Sequence, residues 1–333
     1  MADMLQAIRF DFAPMEGVTD HIFRCAHSRV FPGVSRYFTP FIAANESRSM
    51  KTKEKRDVAP EHNSGVVLIP QILTNKPEVF LWAAERMRGL GYSTVNLNLG
   101  CPSATVVSHG KGSGFLADPG RLDSFFENVF DALPEGIHIS VKTRIGVADA
   151  DEAPALLEIF NRYPLSELIV HPRLRKDFYR GEPDLDTFEM FYEEYRGKLV
   201  YNGDIRSPER LGTFTGRFPD IRDVMIGRGL IADPALIREL SGGAPAGKDE
   251  LKLFHDEILA GRMEEQRDFR NVAGRMKELW FYLGSAFDGA EKYLKKVKKS
   301  GTFAEYTTSV DALFSSCALS TDPRRNDAFL LGS

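Results

Sequence analysis

Cysteine is scarce in this chain of 333 residues, which contains three, so the cysteines cannot all pair in disulfides. Long apolar runs are also lacking, and no stretch approaches the roughly 20 residues that a membrane-spanning helix requires. An excess of positive charge is missing as well, because the formal net charge is -4. A polyanion would therefore have to be held by a local cationic patch, since the molecule as a whole does not attract one.

The seven histidines show no spacing with carboxylates or cysteines that is typical of a metal site, and we expect no metal. The first residues, MADMLQAIRFDFAP, lack the basic flank and long apolar region of a signal peptide. With so few cysteines, this favours a reducing compartment, and we expect a cytoplasmic monomer without a membrane partner. Cys25 and Cys317 are interpreted as buried or incidental thiols.

Eight short runs rich in Ile and Val recur along the chain, with room for one helix between neighbouring runs. The runs are residues 8–14, 35–41, 66–71, 94–98, 137–142, 168–171, 199–202 and 224–227. Asp118 followed by Pro119, and Asp233 followed by Pro234, are typical N-cap and first-turn pairs at helix starts. Eight strands alternating with helices predict an α/β fold, the (β/α)8 TIM barrel, because a doubly wound sheet usually has fewer strands.

The strand rhythm stops after the stretch LSGGAPAGKDE, and long helical patterns follow. We therefore predict a barrel domain over residues 1–242 and a smaller all-helical C-terminal domain over residues 243–333. The aromatic run WFY at residues 280–282 is interpreted as domain core. Cations cluster in the second domain, where they form either a polyanion contact or an ordinary solvated helix face. They are Lys292, Lys295, Lys296, Lys298 and Lys299.

Polar or small residues follow nearly every predicted strand at its C-terminal end, where (β/α)8 barrels build their active sites. A single such residue is usually a cap or a satisfied structural group, because a polar group inside a barrel is costly without a partner. Their convergence on one end predicts a polar cavity at the barrel mouth. In chain order the residues are Pro14, Met15, Gln71, Asn98, Cys101, Lys142, His171, Asn202, Gly227 and Arg228.

Two of these strand ends are rich in glycine. Residues 202–204 (NGD) and 227–229 (GRG) bring backbone N–H groups and a guanidinium to the place where such barrels commonly bind phosphate. Gln71, Lys142 and His171 would then donate hydrogen bonds to the rest of the ligand, as the electron-rich edge of a reduced flavin requires. The alternatives are a barrel-end salt bridge for Lys142 and a loop anchor for His171.

The glycine-rich segment HGKGSGF, residues 109–115, does not fit a dinucleotide-binding fingerprint. Its glycine spacing differs, and the acidic ribose-binding residue of that motif is missing. We interpret the segment as a flexible active-site loop that closes over a substrate.

Six segments together resemble one known family, the tRNA-dihydrouridine synthases. In chain order they are APMEGVTDHIFR, NLNLGCPS, VKTRIG, VHPRLRKDFYRGEPD, YNGDI and MIGRGLIADP. Members of this family are flavoenzymes that reduce a uridine in tRNA with electrons from NADPH. The resemblance implies an FMN-binding barrel followed by a helical tRNA-binding domain, which agrees with the boundary near residue 242.

The same resemblance assigns roles to individual residues. Cys101 would be the catalytic acid that protonates C5 of the uracil while FMN, reduced by NADPH or NADH, reduces C6. A thiol suits this role if it stays protonated until the reaction. The residues implied to hold FMN are Pro14, Met15, Gln71, Lys142, His171, Asn202, Gly203, Asp204, Gly227 and Arg228.

Substrate contacts are predicted on two segments. Asn98 is placed to bond the uracil edge, and Arg173, Lys176 and Tyr179 are candidates for the uracil carbonyls, the flanking phosphates or stacking beneath a base. The alternative for the latter three is an ordinary solvated loop. Three positions depart from the family pattern and bear on substrate handling: Pro40, Phe115 and Leu174.

Two other functions remain open on the sequence. One is an FMN-dependent TIM-barrel reductase of a free small molecule, with the helical tail as an oligomer interface. The other is a non-catalytic tRNA-binding protein. Activity on intact tRNA but not on free uridine separates the first alternative from a tRNA-dihydrouridine synthase, and NADPH oxidation that depends on tRNA separates the second. The sequence does not identify the target uridine or the preferred nicotinamide.

Overall fold

The computed structural model of the protein describes residues 8–44 and 46–321. Residues 1–7, 45 and 322–333 lie outside this part. The beginning of the predicted barrel domain (residues 1–242) and the end of the predicted helical domain (residues 243–333) therefore fall partly outside the described residues.

One parallel sheet forms the centre of the fold, and the predicted TIM barrel is confirmed. Each of the eight predicted strands is present, and the third consists of two short pieces. The strands are β1 (Arg9–Phe12), β2 (Arg36–Phe38), β3 (Leu68–Ile69), β4 (Gln71–Ile72), β5 (Thr94–Leu99), β6 (His138–Gly146), β7 (Glu167–Leu174), β8 (Leu199–Tyr201) and β9 (Asp223–Ile226).

The sheet closes into a barrel at Pro70. The strand order begins with β3 and ends with β4, and these two pieces are separated in the chain only by this proline. Because proline has no N–H to donate to the ladder, the hydrogen-bonding pattern changes here. β3 pairs with β2, and β4 pairs with β5. The carbonyl of Pro70 accepts the N–H of Asn96 (2.9 Å), and the N–H of Gln71 donates to the Thr39 hydroxyl (2.9 Å).

Helices connect the strands and continue after the last one. In the described part of the chain they are α1 (His21–Val30), α2 (Thr52–Asp57), α3 (Pro77–Arg88), α4 (Ala104–Val107), α5 (Pro119–Asp131), α6 (Ala153–Arg162), α7 (Leu185–Glu194), α8 (Pro208–Arg217), α9 (Arg228–Ala232), α10 (Leu236–Leu240), α11 (Lys248–Gln266), α12 (Phe269–Leu283), α13 (Glu291–Lys299) and α14 (Phe303–Ser316). None of them is long and apolar enough to span a membrane.

Of the two predicted helix starts, the first is confirmed and the second lies later in the chain. The Asp118 side chain accepts the N–H of Arg121 (3.0 Å) at the start of α5. Asp233 instead follows α9, where its N–H donates to the carbonyl of Gly229 (2.8 Å). The chain therefore has to turn once more before α10 can start at Leu236.

Asp20 ties the barrel to the helices that follow the last strand. Its carboxylate caps α1 by accepting the N–H of Phe23 (3.2 Å). The same carboxylate accepts hydrogen bonds from Arg262 of α11 and Arg275 of α12, each at 2.7 Å. The rings of Phe23 in α1 and Phe254 in α11 meet edge to face (5.4 Å). One apolar core continues from the barrel into α11–α14. The division at residue 242 stays a prediction.

The aromatic run at residues 280–282 is divided between core and surface. Trp280 is buried, and its indole N–H donates to the hydroxyl of Tyr306 (2.8 Å). Phe281 is exposed, because successive residues of a helix point in different directions.

Replacing Thr39 with Val tests how the barrel closes. The change keeps the shape of the side chain but leaves the buried N–H of Gln71 without its acceptor, so we expect the free energy of unfolding to fall by about 1–3 kcal/mol. Thr213→Val makes the same change on the exposed face of α8 and should cost less than about 0.5 kcal/mol. Urea unfolding of both variants measures the difference. Equal stabilities would show that the hydrogen bond between Gln71 and Thr39 does not stabilise the closed barrel.

Candidate active site

A cavity of about 420 Å³ opens at the C-terminal ends of the strands. All predicted site residues line it except Arg173 and Lys176. The lining residues among the predicted set are Pro14, Met15, Gln71, Asn98, Cys101, Lys142, His171, Tyr179, Asn202, Gly203, Asp204, Gly227 and Arg228. The strand ends therefore do converge, as their pattern in the sequence indicated.

A chain of buried amides runs through the barrel beneath the cavity. Asn96 donates to the Ser140 hydroxyl (2.8 Å), and Gln71 donates to the carbonyl oxygen of Asn96 (2.8 Å). Asn98 in turn donates to the carbonyl oxygen of Gln71 (2.7 Å). The side chains bond to one another across neighbouring strands. These hydrogen bonds offset the energetic cost of burying the amides and fix their orientation.

Asn98 shapes the turn that carries Cys101. Its side-chain oxygen accepts the N–H groups of Gly100 (3.0 Å) and Cys101 (2.9 Å). Both polar ends of the amide are thus bonded within the protein, although Asn98 also lines the cavity. The contact of Asn98 with a uracil stays a prediction. In the structure the Asn98 side chain holds the turn that carries the Cys101 thiol.

The glycine-rich segment packs behind Cys101. The N–H and the hydroxyl of Ser113 both donate to the carbonyl of Cys101, at 3.1 and 2.8 Å. Gly112 has φ +56°, and a Cβ there would lie 2.8 Å from the same carbonyl oxygen. Residues Gly112–Ala117 form a 3₁₀ helix in which Gly112, Ser113, Phe115 and Leu116 are buried. The interpretation as a loop that closes over a substrate is wrong for this part, because close packing against the Cys101 turn uses its glycines.

The three departures from the family pattern fall in different surroundings. Phe115 is buried and meets the ring of Phe125 edge to face at 5.4 Å, so it belongs to the core. Pro40 lines the cavity. Leu174 lies at the end of β7, where its carbonyl accepts a hydrogen bond from Arg144 (2.8 Å). Only Pro40 is placed to touch a ligand directly.

Burial keeps the thiol of Cys101 protonated. Burial raises its pKa above the ordinary value, although a backbone hydrogen bond of Ser103 and the charges of Arg144 and Lys142 act in the opposite direction. A neutral thiol is a poor nucleophile but can give up a proton. The site thus favours an acid at this position.

Lys142 is the neighbour of Asn98 across the β5–β6 pair. Burial, together with the charge of Arg144, lowers the pKa of its amine to about 7. Near neutral pH the side chain is therefore close to half protonated, and an anionic group in the cavity would restore its charge.

His171 is held neutral and in one tautomer. Burial, and the positive charges of Arg144 and other nearby cations, hold its pKa well below the ordinary value. Arg173, which can only donate, approaches the His171 Nε2 at 3.0 Å. Nε2 must therefore accept, and the proton of the neutral ring sits on Nδ1. The imidazole can present this N–H to a ligand.

Arg173 supports the site from behind. It is buried and donates to the carbonyl of Gly181 (2.5 Å) and to Asp204 (2.5 Å) in addition to His171. Asp204 also accepts a hydrogen bond from Arg228 (2.9 Å). Burial raises the pKa of Asp204, but Arg173, Arg228 and Arg206 outweigh it and the pKa is lowered. As placed, Arg173 reaches a ligand only through His171, and its direct contact with a substrate stays a prediction.

Close backbone packing explains the glycine of the NGD segment. A Cβ at Gly203 would overlap the hydroxyl of Tyr201, so only glycine fits between this ring and the cavity. The neighbouring Asn202 donates to the carbonyl of Met225 (2.8 Å) and links the end of β8 to β9.

Arg144 is an important residue that the sequence analysis missed. It joins the Cys101 turn to the segment after β7, donating to the carbonyls of Gly100 (2.9 Å) and Phe178 (2.6 Å). Its guanidinium also lies 5.4 Å from the centre of the Tyr179 ring. A signal was present, because Arg144 follows Lys142 by two positions on one strand and so shares its face.

The described residues contain no cluster of three or more His, Cys, Asp or Glu side chains that could hold a metal ion. The donors around the cavity are instead amide, amine, imidazole and guanidinium groups. Such a set suits an organic ligand with carbonyl and phosphate oxygens.

The geometry can be compared with known proteins. The family model described as dihydrouridine synthase (Dus) matches residues 11–320. A tRNA-dihydrouridine(16) synthase of Pseudomonas syringae pv. tomato is 31% identical over 74% of this chain and 78% of its own. The protein with the same name from Ralstonia nicotianae is 29% identical over 70% and 73%. That from Shigella flexneri is 26% identical over 92% and 98%.

Solved structures share the fold at low identity. Histamine dehydrogenase from Rhizobium sp. 4-9 has a TM-score of 0.53 at 12% identity, covering 70% of this chain and 45% of that one. Morphinone reductase has a TM-score of 0.50 at 14% identity, covering 74% and 88%. These two comparisons support the barrel architecture alone.

Gly112→Ala tests the packing behind Cys101. The new Cβ meets the Cys101 carbonyl and takes an unfavourable φ, so we expect a loss of about 2–4 kcal/mol in the free energy of unfolding. Gly91→Ala is the matched control, because Gly91 also has a positive φ (+91°) but open space around it. It should lose only about 1 kcal/mol. Denaturant unfolding measures both, and an equal loss would show that crowding behind Cys101 is absent.

Proposed function

This chain is an enzyme of the dihydrouridine synthase family, and we propose that it reduces the C5–C6 double bond of a uridine in tRNA with FMN as its cofactor. The observation that carries the proposal is the pairing of a half-buried neutral thiol, Cys101, with a set of hydrogen-bond donors across one cavity. The names of the curated relatives make position 16 of tRNA the first candidate for the target.

The cavity residues fit the parts of FMN. Arg228 and the glycine-containing ends of β8 and β9 lie on one side of the cavity, where a phosphate would be neutralised. Lys142 and the Nδ1–H of His171 offer donors to a ring edge rich in electrons. When bound, the flavin supplies the reducing equivalents, which it receives from NADPH or NADH.

The chain's own residues control the proton. Cys101 keeps its proton on Sγ until the reaction and then gives it to C5 of the uracil, which leaves a thiolate that water can reprotonate. Asn98 holds the turn of this thiol through the N–H groups of Gly100 and Cys101. The cations Lys142 and Arg144 lie close to the developing thiolate and stabilise it.

The larger substrate needs contacts beyond the cavity. We propose that residues 243–333 bind tRNA, with the lysine run of α13 as one contact, and that Lys176 and Tyr179 contact the RNA near the uridine. Lys176 is exposed and Tyr179 lines the cavity. We further propose that the protein acts as a monomer in the cytoplasm.

Cys101→Ala removes the proposed acid. We expect a folded, yellow protein that forms dihydrouridine in tRNA about 100-fold or more slowly, in line with the usual contribution of a general acid. Cys25→Ala, which removes a thiol on α1, should keep the wild-type rate. Mass spectrometry of nucleosides from the treated tRNA measures the product, with free uridine as a parallel substrate. Full activity of Cys101→Ala would exclude the thiol, and faster reduction of free uridine would point to a small-molecule reductase.

The pKa of Lys142, about 7, predicts how FMN affinity depends on pH. An electron-rich ligand edge favours the ammonium form of Lys142. FMN binding therefore takes up a proton at any pH at which the Lys142 amine of the free enzyme is neutral. The affinity for FMN should be highest below pH 7. As the pH rises from the pKa of Lys142 in the free enzyme to its higher pKa in the FMN complex, the affinity should fall by up to about tenfold per pH unit. Fluorescence titration with FMN between pH 6 and 9 measures this slope.

Lys142→Met is the control for that titration. It should bind FMN more weakly and without the slope, because the titrating amine is gone, while any titration of FMN itself remains in both proteins. Equal slopes in the wild type and the variant would exclude Lys142 as the group that takes up the proton.

A further inference from the structure

Phe178 has an unusual backbone conformation at the edge of the cavity. Its φ is +54° and its ψ is -99°, a region that bulky side chains rarely adopt. Arg267 also has a positive φ, but there the left-handed residue ends α11 in a common way. Phe178 ends only a short 3₁₀ turn, so the strain has no such local explanation.

The surroundings hold this strain in place. The N–H of Phe178 donates to the carbonyl of Arg175 (3.1 Å), and its carbonyl accepts from Arg144 (2.6 Å). The next residue, Tyr179, lies near two guanidinium groups, those of Arg144 at 5.4 Å and Arg228 at 4.8 Å from its ring centre. The carbonyl of Phe178 and the ring of Tyr179 are therefore held by buried arginines, and the N–H of Phe178 is held by the turn that begins at Arg175.

The result is an aromatic ring presented to solvent. The Phe178 residue is 43% exposed and also lines the cavity. A ring that served only the core would be buried, and a residue that served only the turn would be glycine. Strain that surrounding contacts maintain at the edge of a site is a feature of functional positions.

Cations surround the ring in the run RKDFYR. Lys176 and Arg180, on either side of Phe178, are exposed, and Arg175 is half-buried. The one acidic residue of the run, Asp177, is engaged locally, because its carboxylate accepts the N–H of Leu174 (2.9 Å). An exposed aromatic ring between cations is the arrangement with which proteins bind an unstacked nucleobase and its neighbouring phosphates.

We infer that Phe178 is an RNA-stacking residue that covers the face of the base next to the uridine in the cavity. A uridine that enters the cavity has to leave its stack, and this uncovers a neighbouring base at the cavity edge. The Phe178 ring lies at that edge, and Lys176 and Arg180 contact the flanking phosphates. The inference rests on the proposed function, since it presumes that an RNA uridine enters the cavity.

Three substitutions separate the ring from the strain. Phe178→Leu keeps an apolar side chain and the strain but removes the ring, Phe178→Tyr keeps the ring, and Phe178→Gly removes both. With the flavin-loaded protein and an unmodified tRNA transcript, we expect KM and Kd to rise about 5- to 150-fold for Leu and Gly, the range typical of base stacking on aromatic side chains, and to stay within about twofold for Tyr. The melting temperature of the Gly variant should not fall, because glycine adopts this φ without strain.

Salt dependence separates stacking from charge. Phe178→Leu should leave the slope of log Kd against log salt unchanged, whereas Lys176→Ala should reduce it by about one. Leu90→Ala is the control for the loss of an exposed apolar side chain, because Leu90 (39% exposed) lies between α3 and β5, at the barrel end opposite the cavity, and it should keep the wild-type KM.

The inference is overturned if Phe178→Leu and Phe178→Gly bind and turn over tRNA as the wild type does, or if they lose only flavin or thermal stability. Absence of dihydrouridine with the wild-type protein would instead refute the proposed function. In that case the Kd values for tRNA test the stacking role alone. Weaker tRNA binding by the Leu and Gly variants would support stacking by Phe178, and unchanged binding would refute it.

Discussion

Asn98 accepts two backbone N–H groups with one oxygen, and the arrangement of the Cys101 side of the cavity depends on that contact. The amide can do this only because its own N–H group is bonded to Gln71, which is bonded to Asn96 and so connected to Ser140. Each amide in the chain would be costly to bury alone. Together they transmit the rigidity of three barrel strands to the turn that carries Cys101.

Arginines organise the opposite side. Arg144 joins the Cys101 turn to the segment after β7, while Arg173 and Arg228 share the carboxylate of Asp204. Burial, together with the positive charge of this group, keeps His171 neutral, and burial together with Arg144 lowers the pKa of Lys142 to about 7. The cavity is therefore suited to a ligand that brings negative charge of its own, and binding such a ligand relieves the repulsion among the cations.

Local strain and close packing concentrate around the same place. Gly112 and Gly203 are positions where a Cβ would meet Cys101 or Tyr201, and Phe178 is held at a positive φ. In the regular strands beneath the cavity, a cluster of apolar side chains and the chain of bonded amides fill the interior. A rigid scaffold thus carries the irregular segments, which is the usual division between the strands and the loops of a (β/α)8 barrel.

Much of the fold could be predicted because its signals are local. Alternation of Ile and Val with helical segments indicated the eight strands, and the polar residues at their ends indicated the cavity, since the ends of parallel strands must meet. The Gly-Cys-Pro turn after β5 was equally visible in the sequence. Pro70 was visible too, but nothing near it showed that β3 and β4 would each pair with a different neighbour to close the barrel.

The sequence by itself determined which residues reach the mouth of the barrel, because strand periodicity and strand ends depend on neighbours in the chain. Only the tertiary structure decided what each of them does there. Arg173 lies behind His171 because it meets Asp204, 31 positions away, and the glycine segment packs behind Cys101 instead of moving freely. The pKa of Lys142 likewise follows from burial and from Arg144. Burial and charge act through space, and the folded chain alone sets those distances.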